Sequence, residues 1–274
     1  MEPPVLAIIG GTGFYKFLEP VSEVSPQTPY GPTSAPISLS LLDGRPVAFL
    51  PRHGRDHEYL PHEIPYRANL WAFRELGVRQ ILGLNTVGSL QTEYRRGDLV
   101  LVDQFIDRTS GRIDTFFGKD SPEKGSAHIS SAYPYCLRMR DLAKGALTGI
   151  EGGFHDAATV VVTQGPRFGT LAESRWYRSQ GWHVLNMTQY PEVVLAREQE
   201  LCYMNLSYVT DYDVALAEVV GAEEEDTGVV SHARVLQAFS ADSGRFVEAV
   251  TRIVNALPAE FDCSCRHALD GART

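Results

Sequence analysis

Short apolar runs, each closed by glycine or a small polar residue, alternate along this chain with segments of helical period. That alternation restricts the fold to α/β, a central sheet covered by helices. Strands are predicted at Val5–Ile9, Gln80–Leu84, Leu99–Val102, Thr159–Thr163, His183–Leu185 and Cys202–Val209. Ile37–Leu42 and Arg45–Leu50 flank Asp43-Gly44, which predicts a hairpin. Helices are predicted over Pro65–Leu76, Tyr135–Leu147, Thr170–Ser179, Pro191–Leu201 and one long stretch, Ser231–Leu257.

With 274 residues, 43% of them hydrophobic, and no Ser/Gly/Pro-rich linker, the chain predicts one domain over residues 1–262 and a loosely ordered tail over 263–274. The formal net charge of −9 argues against nucleic acid as a partner. No apolar run reaches the length of a membrane span, and the N-terminus carries no basic, cleavable leader, so a cytoplasmic protein is expected. The acidic stretch Gly221–Gly228 reads as a solvated loop. Four cysteines do not make a disulfide framework. Cys136 and Cys202 read as lone, reduced residues. Cys263 and Cys265, with His267 beyond, could be a metal clip or a redox pair, but a matching second pair is missing, so no metal site is expected.

Against the acidic background stands a knot of Arg and His, Arg52-His53-Gly54-Arg55-Asp56-His57, with His62 close behind. Guanidinium offers a fork of donors that matches phosphate, and glycine lets the backbone approach a ligand. His53, His57 and His62 have spacings that permit a metal, but Gly54 and Pro61 break the helix such a set would need. Three further segments suit a small anion. Gly10-Gly11-Thr12-Gly13 is a glycine turn after a strand, and it matches neither a dinucleotide fingerprint nor a P-loop. Asn85-Thr86-Val87-Gly88-Ser89 follows a strand, where open α/β sheets bind ligands. Asn186-Met187-Thr188 precedes a helix whose N-terminus favours anions, although Thr188 would equally serve as a plain cap. At the end of the Cys202–Val209 run comes Thr210-Asp211-Tyr212-Asp213. Two carboxylates two apart face one side, and each raises the other's pKa, which suits one of them to hold a proton.

Together these segments resemble 5′-methylthioadenosine phosphorylases, within the purine nucleoside phosphorylase superfamily. The similarity is carried by Ile8 to Phe14, Arg52 to His57, Tyr66 to Ala72, Asp103 to Thr109, Gly165-Pro166-Arg167-Phe168, Ala172-Glu173-Ser174, Asn186-Met187-Thr188 with Pro191-Glu192, and Thr210 to Asp213. It implies a single-domain, three-layer αβα fold around a mixed sheet. It also implies phosphorolysis: phosphate attacks the anomeric carbon of a purine nucleoside and releases the base, with no metal or organic cofactor. The resemblance assigns phosphate to Thr12, Arg52, His53, Asn85, Thr86 and Thr188. The nucleoside falls to Val87, Gly88, Phe168, Asn186 and Met187, with Asp211 and Asp213 at ring nitrogen 7 and the exocyclic amine as the catalytic acids. A 5′ substituent would meet His57 and Pro61, with His128 supplied by a neighbouring subunit of a homotrimer. Adenine nucleosides with a 5′-thio group are the expected substrates; ordinary purine nucleosides or 5′-methylthioinosine are the alternative.

The chain departs from the family pattern at Asn85-Thr86-Val87, at Gln164 (usually Glu), at Gln189-Tyr190, in lacking a Trp after Asp213 and in its acidic loop. These departures cluster around the expected ligand.

Overall fold

A computed structural model describes residues 4–14, 18–221, 231–241, 243–260 and 262–274. The acidic residues 223–226 therefore lie outside the described residues. Eleven strands form one mixed sheet. In chain order they are β1 (Leu6–Gly10), β2 (Ser22–Val24), β3 (Ile37–Leu42), β4 (Arg45–Pro51), β5 (Gln80–Ser89), β6 (Leu99–Leu101), β7 (Gln104–Arg108), β8 (Phe154–His155), β9 (Thr159–Thr163), β10 (Val184–Asn186) and β11 (Cys202–Tyr212). The helices are α1 (Tyr66–Glu75), α2 (Leu137–Ala146), α3 (Leu171–Ser179), α4 (Gln189–Glu198), α5 (Val214–Val220), α6 (His232–Ala241) and α7 (Ser243–Ala256).

The period of two along β1 divides the core. Ala7 and Ile9 join one buried cluster with Leu70 and Phe73 of α1. Leu6 and Ile8 join another with Met139 of α2 and Phe246 and Ile253 of α7. Apolar residues on both faces of a sheet require helices on both faces, which gives three layers. The β3–β4 hairpin turns at Asp43 and Gly44, both at positive φ (50° and 80°), the geometry Asp-Gly supplies.

β5 positions the site. β11 runs parallel along one of its edges from Gln80 to Ser89. On the other edge β1 accompanies it only to Leu84, the partner of Gly10, and β10 joins antiparallel only at Gly88. Asn85, Thr86 and Val87 thus sit where two neighbours diverge. Such a switch point opens a crevice at the strand ends.

Several sequence expectations need correction. The Gln80 strand does not end at Leu84; Asn85–Ser89 stays in the ladder because β11 continues to pair with it. The single helix over 231–257 is two helices, and the second restarts at Ser243-Gly244. α4 begins at Gln189 rather than Pro191, with Tyr190 extended (φ −105°, ψ 133°) at a kink. The tail is not loose: Ala272 O accepts from His128 N at 2.9 Å, Thr274 N donates to Ser126 O at 3.1 Å, and Cys265 is buried.

Candidate active site

The ends of β1, β4, β5, β10 and β11 surround a cavity of about 290 Å3. Thr12, His53, Asn85, Thr86 and Thr188, which the sequence reading assigns to an anion, line it. So do Val87, Gly88, Phe168, Asn186, Met187, Asp211 and Asp213, and His57 and Pro61. Gly88 lies three positions beyond Asn85 along extended strand, a span of about 10 Å. Gly11 lies against Asn85, while Gly88 lies against Asp211: a Cβ on Gly88 would sit 2.9 Å from Asp211 Oδ2. The hydroxyls and the carboxylates therefore occupy opposite ends of the divergence.

At the first end the polar groups are buried and interlocked. Thr188 precedes α4 but makes no side-chain cap bond. Its Oγ1 instead accepts from Asn85 Nδ2 at 2.9 Å. Asn85 Oδ1 accepts from Asn205 Nδ2 at 2.7 Å, and Asn205 Oδ1 accepts from Gln189 Nε2 at 3.1 Å. Tyr135 donates its hydroxyl to Gln189 Oε1 and closes the series. With its lone pair occupied by Asn85, the Thr188 hydroxyl is set to donate, the role an anion needs.

Arg52 sits beneath this wall rather than in it. It is 0% exposed. Nε and Nη2 donate to both oxygens of Glu192 (2.6 and 2.8 Å), Nη1 donates to Leu84 O at 3.0 Å, and Nη2 also reaches Ile9 O. Among the described residues one Nη1 donor of the five has no acceptor. A Cβ on Gly11 would approach Nη1 to 2.9 Å, so the glycine is required for the turn to rest on the guanidinium. Burial opposes the Arg52 charge, but the Glu192 carboxylate outweighs it and holds the pKa above the ordinary value. Tyr203 OH donates to the same carboxylate at 2.7 Å. The sequence expectation of Arg52 as an open phosphate fork is thus reduced to a support with one spare donor.

The rest of the knot divides. His53 Nδ1 donates to Tyr59 O at 2.9 Å, which fixes its tautomer, and the His53 and His57 rings stack at 4.4 Å. Gly54 does not admit a ligand: at φ +82° a Cβ there would collide with the Glu58 carboxylate. Arg55 pairs with exposed Glu23. His62 lies on a different cavity, with Tyr30 and Arg112.

At the second end Asp213 is 7% exposed and donates its backbone N–H to Ser89 O at 2.8 Å. Burial raises its carboxyl pKa, against the hydrogen bonds from Ser174 and the Val214 N–H. Mutual repulsion with Asp211, the reason expected from sequence, is not the leading cause; desolvation is. Asp211 Oδ1 accepts from Thr210 Oγ1 at 2.7 Å. Phe168 is 43% exposed at the rim. The amide of Asn186 has neither Oδ1 nor Nδ2 satisfied among the described residues, although both atoms are buried. A buried, unpaired amide beside a cavity is a docking point for a polar ligand. Gln164, a departure from the family pattern, accepts from Ser110 N at 2.9 Å and from Arg112 Nε at 3.3 Å.

Sequence reasoning did not assign Leu60, Pro166, Leu185 or Val235 to the site, although all four line the cavity. Val235 sits on α6 at helical spacing and reads as core; only the packing of α6 against β11 takes it to the site. His128 does not line this cavity; its backbone is tied to the tail. Cys136 and Cys202 are not lone residues, because the fold brings both to Cys263 and Cys265. His267 is outside that group and pairs with Asp270.

Comparison with known proteins gives the same grouping. The sequence model of the phosphorylase superfamily matches residues 5–252. A purine nucleoside phosphorylase of Streptomyces coelicolor is 49% identical, over 97% of this chain and 94% of that protein. An S-methyl-5′-thioadenosine phosphorylase of Mycolicibacterium smegmatis is 44% identical, over 97% of this chain and 95% of that protein. Among solved structures, methylthioadenosine phosphorylase from Schistosoma mansoni in complex with adenine superimposes with a TM-score of 0.90 at 32% identity, covering 98% of this chain and 99% of that one.

Proposed function

The chain belongs to the phosphorylase superfamily, and from that premise we propose that it cleaves 5′-methylthioadenosine with inorganic phosphate. One phosphate oxygen bonds to the anomeric carbon as the bond from that carbon to the purine breaks. The electron pair of the broken bond goes to the purine. Adenine and 5-methylthioribose 1-phosphate leave. Phosphate is a substrate in this reading, and no organic cofactor takes part.

The observation that carries the reading is the pairing of two unlike ends in one cavity, hydroxyl and imidazole groups at one and two carboxyls at the other. Thr12, Thr86, Thr188 and His53 hold the phosphate, with the spare Arg52 donor beneath. Asp213, whose carboxyl burial keeps prone to protonation, gives its proton to the departing purine, which exchanges the two roles that the resemblance implies for Asp211 and Asp213. Asp211, hydrogen-bonded through Oδ1 to the Thr210 hydroxyl, accepts from the exocyclic amine. Met187 packs under the sugar, and a Cβ on Gly165 would meet its Sδ at 2.7 Å, so the glycine lets Met187 close over that place. Phe168 stacks on the base. His57 and Pro61 face the 5′-thio group, which His128 of a neighbouring subunit in a homotrimer completes. We place the enzyme in the cytoplasm, without nucleic-acid or membrane partners. Among the described residues no helix is long and apolar enough to cross a membrane.

The test is a panel of nucleosides, with and without phosphate, followed for free base by absorbance. Phosphate-dependent release of adenine from 5′-methylthioadenosine, faster than base release from inosine or 5′-methylthioinosine, is expected. Release indifferent to phosphate would make the enzyme a nucleosidase. A preference for inosine would move it to the activity named for its Streptomyces coelicolor relative.

A further inference from the structure

All four cysteines of the chain meet at one point, far apart in sequence. Their sulfurs lie within 4.8 Å of one another, and the Cys202 and Cys263 sulfurs are 3.0 Å apart. None of the four lines the nucleoside cavity. We propose that Cys136, Cys202, Cys263 and Cys265 form a closed tetrathiolate site for one zinc-class metal ion, which pins the C-terminal tail to the body of the domain.

The geometry suits one central ion. Tetrahedral zinc with bonds of about 2.3 Å to sulfur places its sulfurs about 3.8 Å apart. The observed span, from 3.0 Å to within 4.8 Å, brackets that value, so shifts on the order of 1 Å complete the tetrahedron. Three separate pieces of chain supply the ligands. Cys136 is the N-cap of α2, where its Sγ accepts from Met139 N at 3.5 Å. Cys202 opens β11. Cys263 and Cys265 flank the start of a 3-10 turn, Ser264–His267, and Arg266 N donates to Cys263 O at 3.2 Å. That turn brings two sulfurs, two residues apart, to the same point.

The surroundings favour thiolates. The N-terminus of α2 presents N–H donors and the positive end of its dipole to Cys136. Arg266 keeps a buried Nε with no hydrogen-bond partner among the described residues, a cationic group next to the site in sequence. Binding exchanges four thiol protons for one divalent ion and leaves a net charge of −2 on the cluster. Thiolates select zinc and its soft relatives over magnesium or calcium, and four protein ligands leave no open position for catalysis. The ion's work is mechanical. The tail it anchors is the segment whose Ala272 and Thr274 hold the backbone of His128 and Ser126.

The experiment titrates the reduced, metal-free, full-length protein with cobalt(II). Charge-transfer and visible bands of tetrahedral cobalt thiolate are expected, saturating at one equivalent and bleached by zinc. Protein purified from zinc-supplemented cells should carry one zinc per chain, and Cys263→Ser and Cys265→Ser should each lose it. If those variants fail to fold, the wild-type cobalt spectrum still decides. Four freely titratable thiols with no cobalt spectrum would overturn the proposal. Two disulfides in protein from a reducing cytoplasm, seen as a mass lower by four hydrogens, would overturn it as well.

Discussion

The two ends of the cavity, proposed above to hold phosphate and base, are built on different terms. At the phosphate end, polar groups are buried and each is held by another: Thr188 by Asn85, Asn85 by Asn205, Asn205 by Gln189, and Arg52 by Glu192. At the base end Phe168 is 43% exposed, and the Asn186 amide has no partner among the described residues. The phosphate end is part of the core and cannot change without cost to folding. The base end rests on a rim residue, a strand end and one turn of α6, so it can be re-cut for another nucleoside. Relatives of similar identity that bear two different phosphorylase names are consistent with that division.

The largest expected effect tests the base end. Asp213→Asn should lower kcat/KM for 5′-methylthioadenosine by about 10²–10⁴, the usual value of a general acid. Its pH dependence sharpens the assignment. Because the folded pKa of Asp213 is raised, proton-dependent activity is present at low pH and falls as pH rises through that value. The stability it contributes follows the same sign: it is full below the ordinary carboxylate pKa and lost as pH rises through the raised one. Both limbs should vanish in Asp213→Asn, as read by pH–rate profiles and by urea unfolding across pH. An unchanged rate profile would remove Asp213 from proton transfer.

Next comes the ion pair beneath the phosphate end. Glu192→Ala leaves a fully buried guanidinium uncompensated and should destabilise the fold by about 3–5 kcal/mol in urea unfolding. A loss under about 1 kcal/mol would mean that the two ends do not differ in rigidity as described.

Thr188→Val removes one hydroxyl donor from phosphate while keeping the shape. Hydrogen bonds to charged groups are worth about 1.5–3 kcal/mol, so the KM for phosphate should rise roughly 10–100-fold while the KM for nucleoside moves little. A larger shift for nucleoside than for phosphate would reverse the assignment of the two ends. The smallest effect is expected at the rim. Phe168→Ala should cost about 1 kcal/mol of base stacking, roughly fivefold in nucleoside KM, with phosphate KM unchanged in steady-state assays.

Much of this was legible in the chain. The alternation of apolar runs and helical periods gives the α/β fold, and the Asp43-Gly44 hairpin stands where the sequence places it. Thr12, His53, Thr188 and Asp213 follow strand ends, where such sheets bind ligands, while Thr86 and Asp211 line the cavity from within β5 and β11. Local pattern says nothing of which side of a wall a side chain takes. Arg52 therefore read as an open fork, and Val235 was not assigned to the site.

Periodicity, turn chemistry and strand-end composition are local properties, and the sequence settled whatever depends on them alone: the elements, their order and most of the polar residues of the cavity. Tertiary structure decided what depends on meetings between distant segments. Glu192 claims the guanidinium of Arg52, burial raises the pKa of Asp213, and Cys136 and Cys202 converge with Cys263 and Cys265. Desolvation and coordination arise only when residues far apart in the chain share one space, and no window of sequence contains that space.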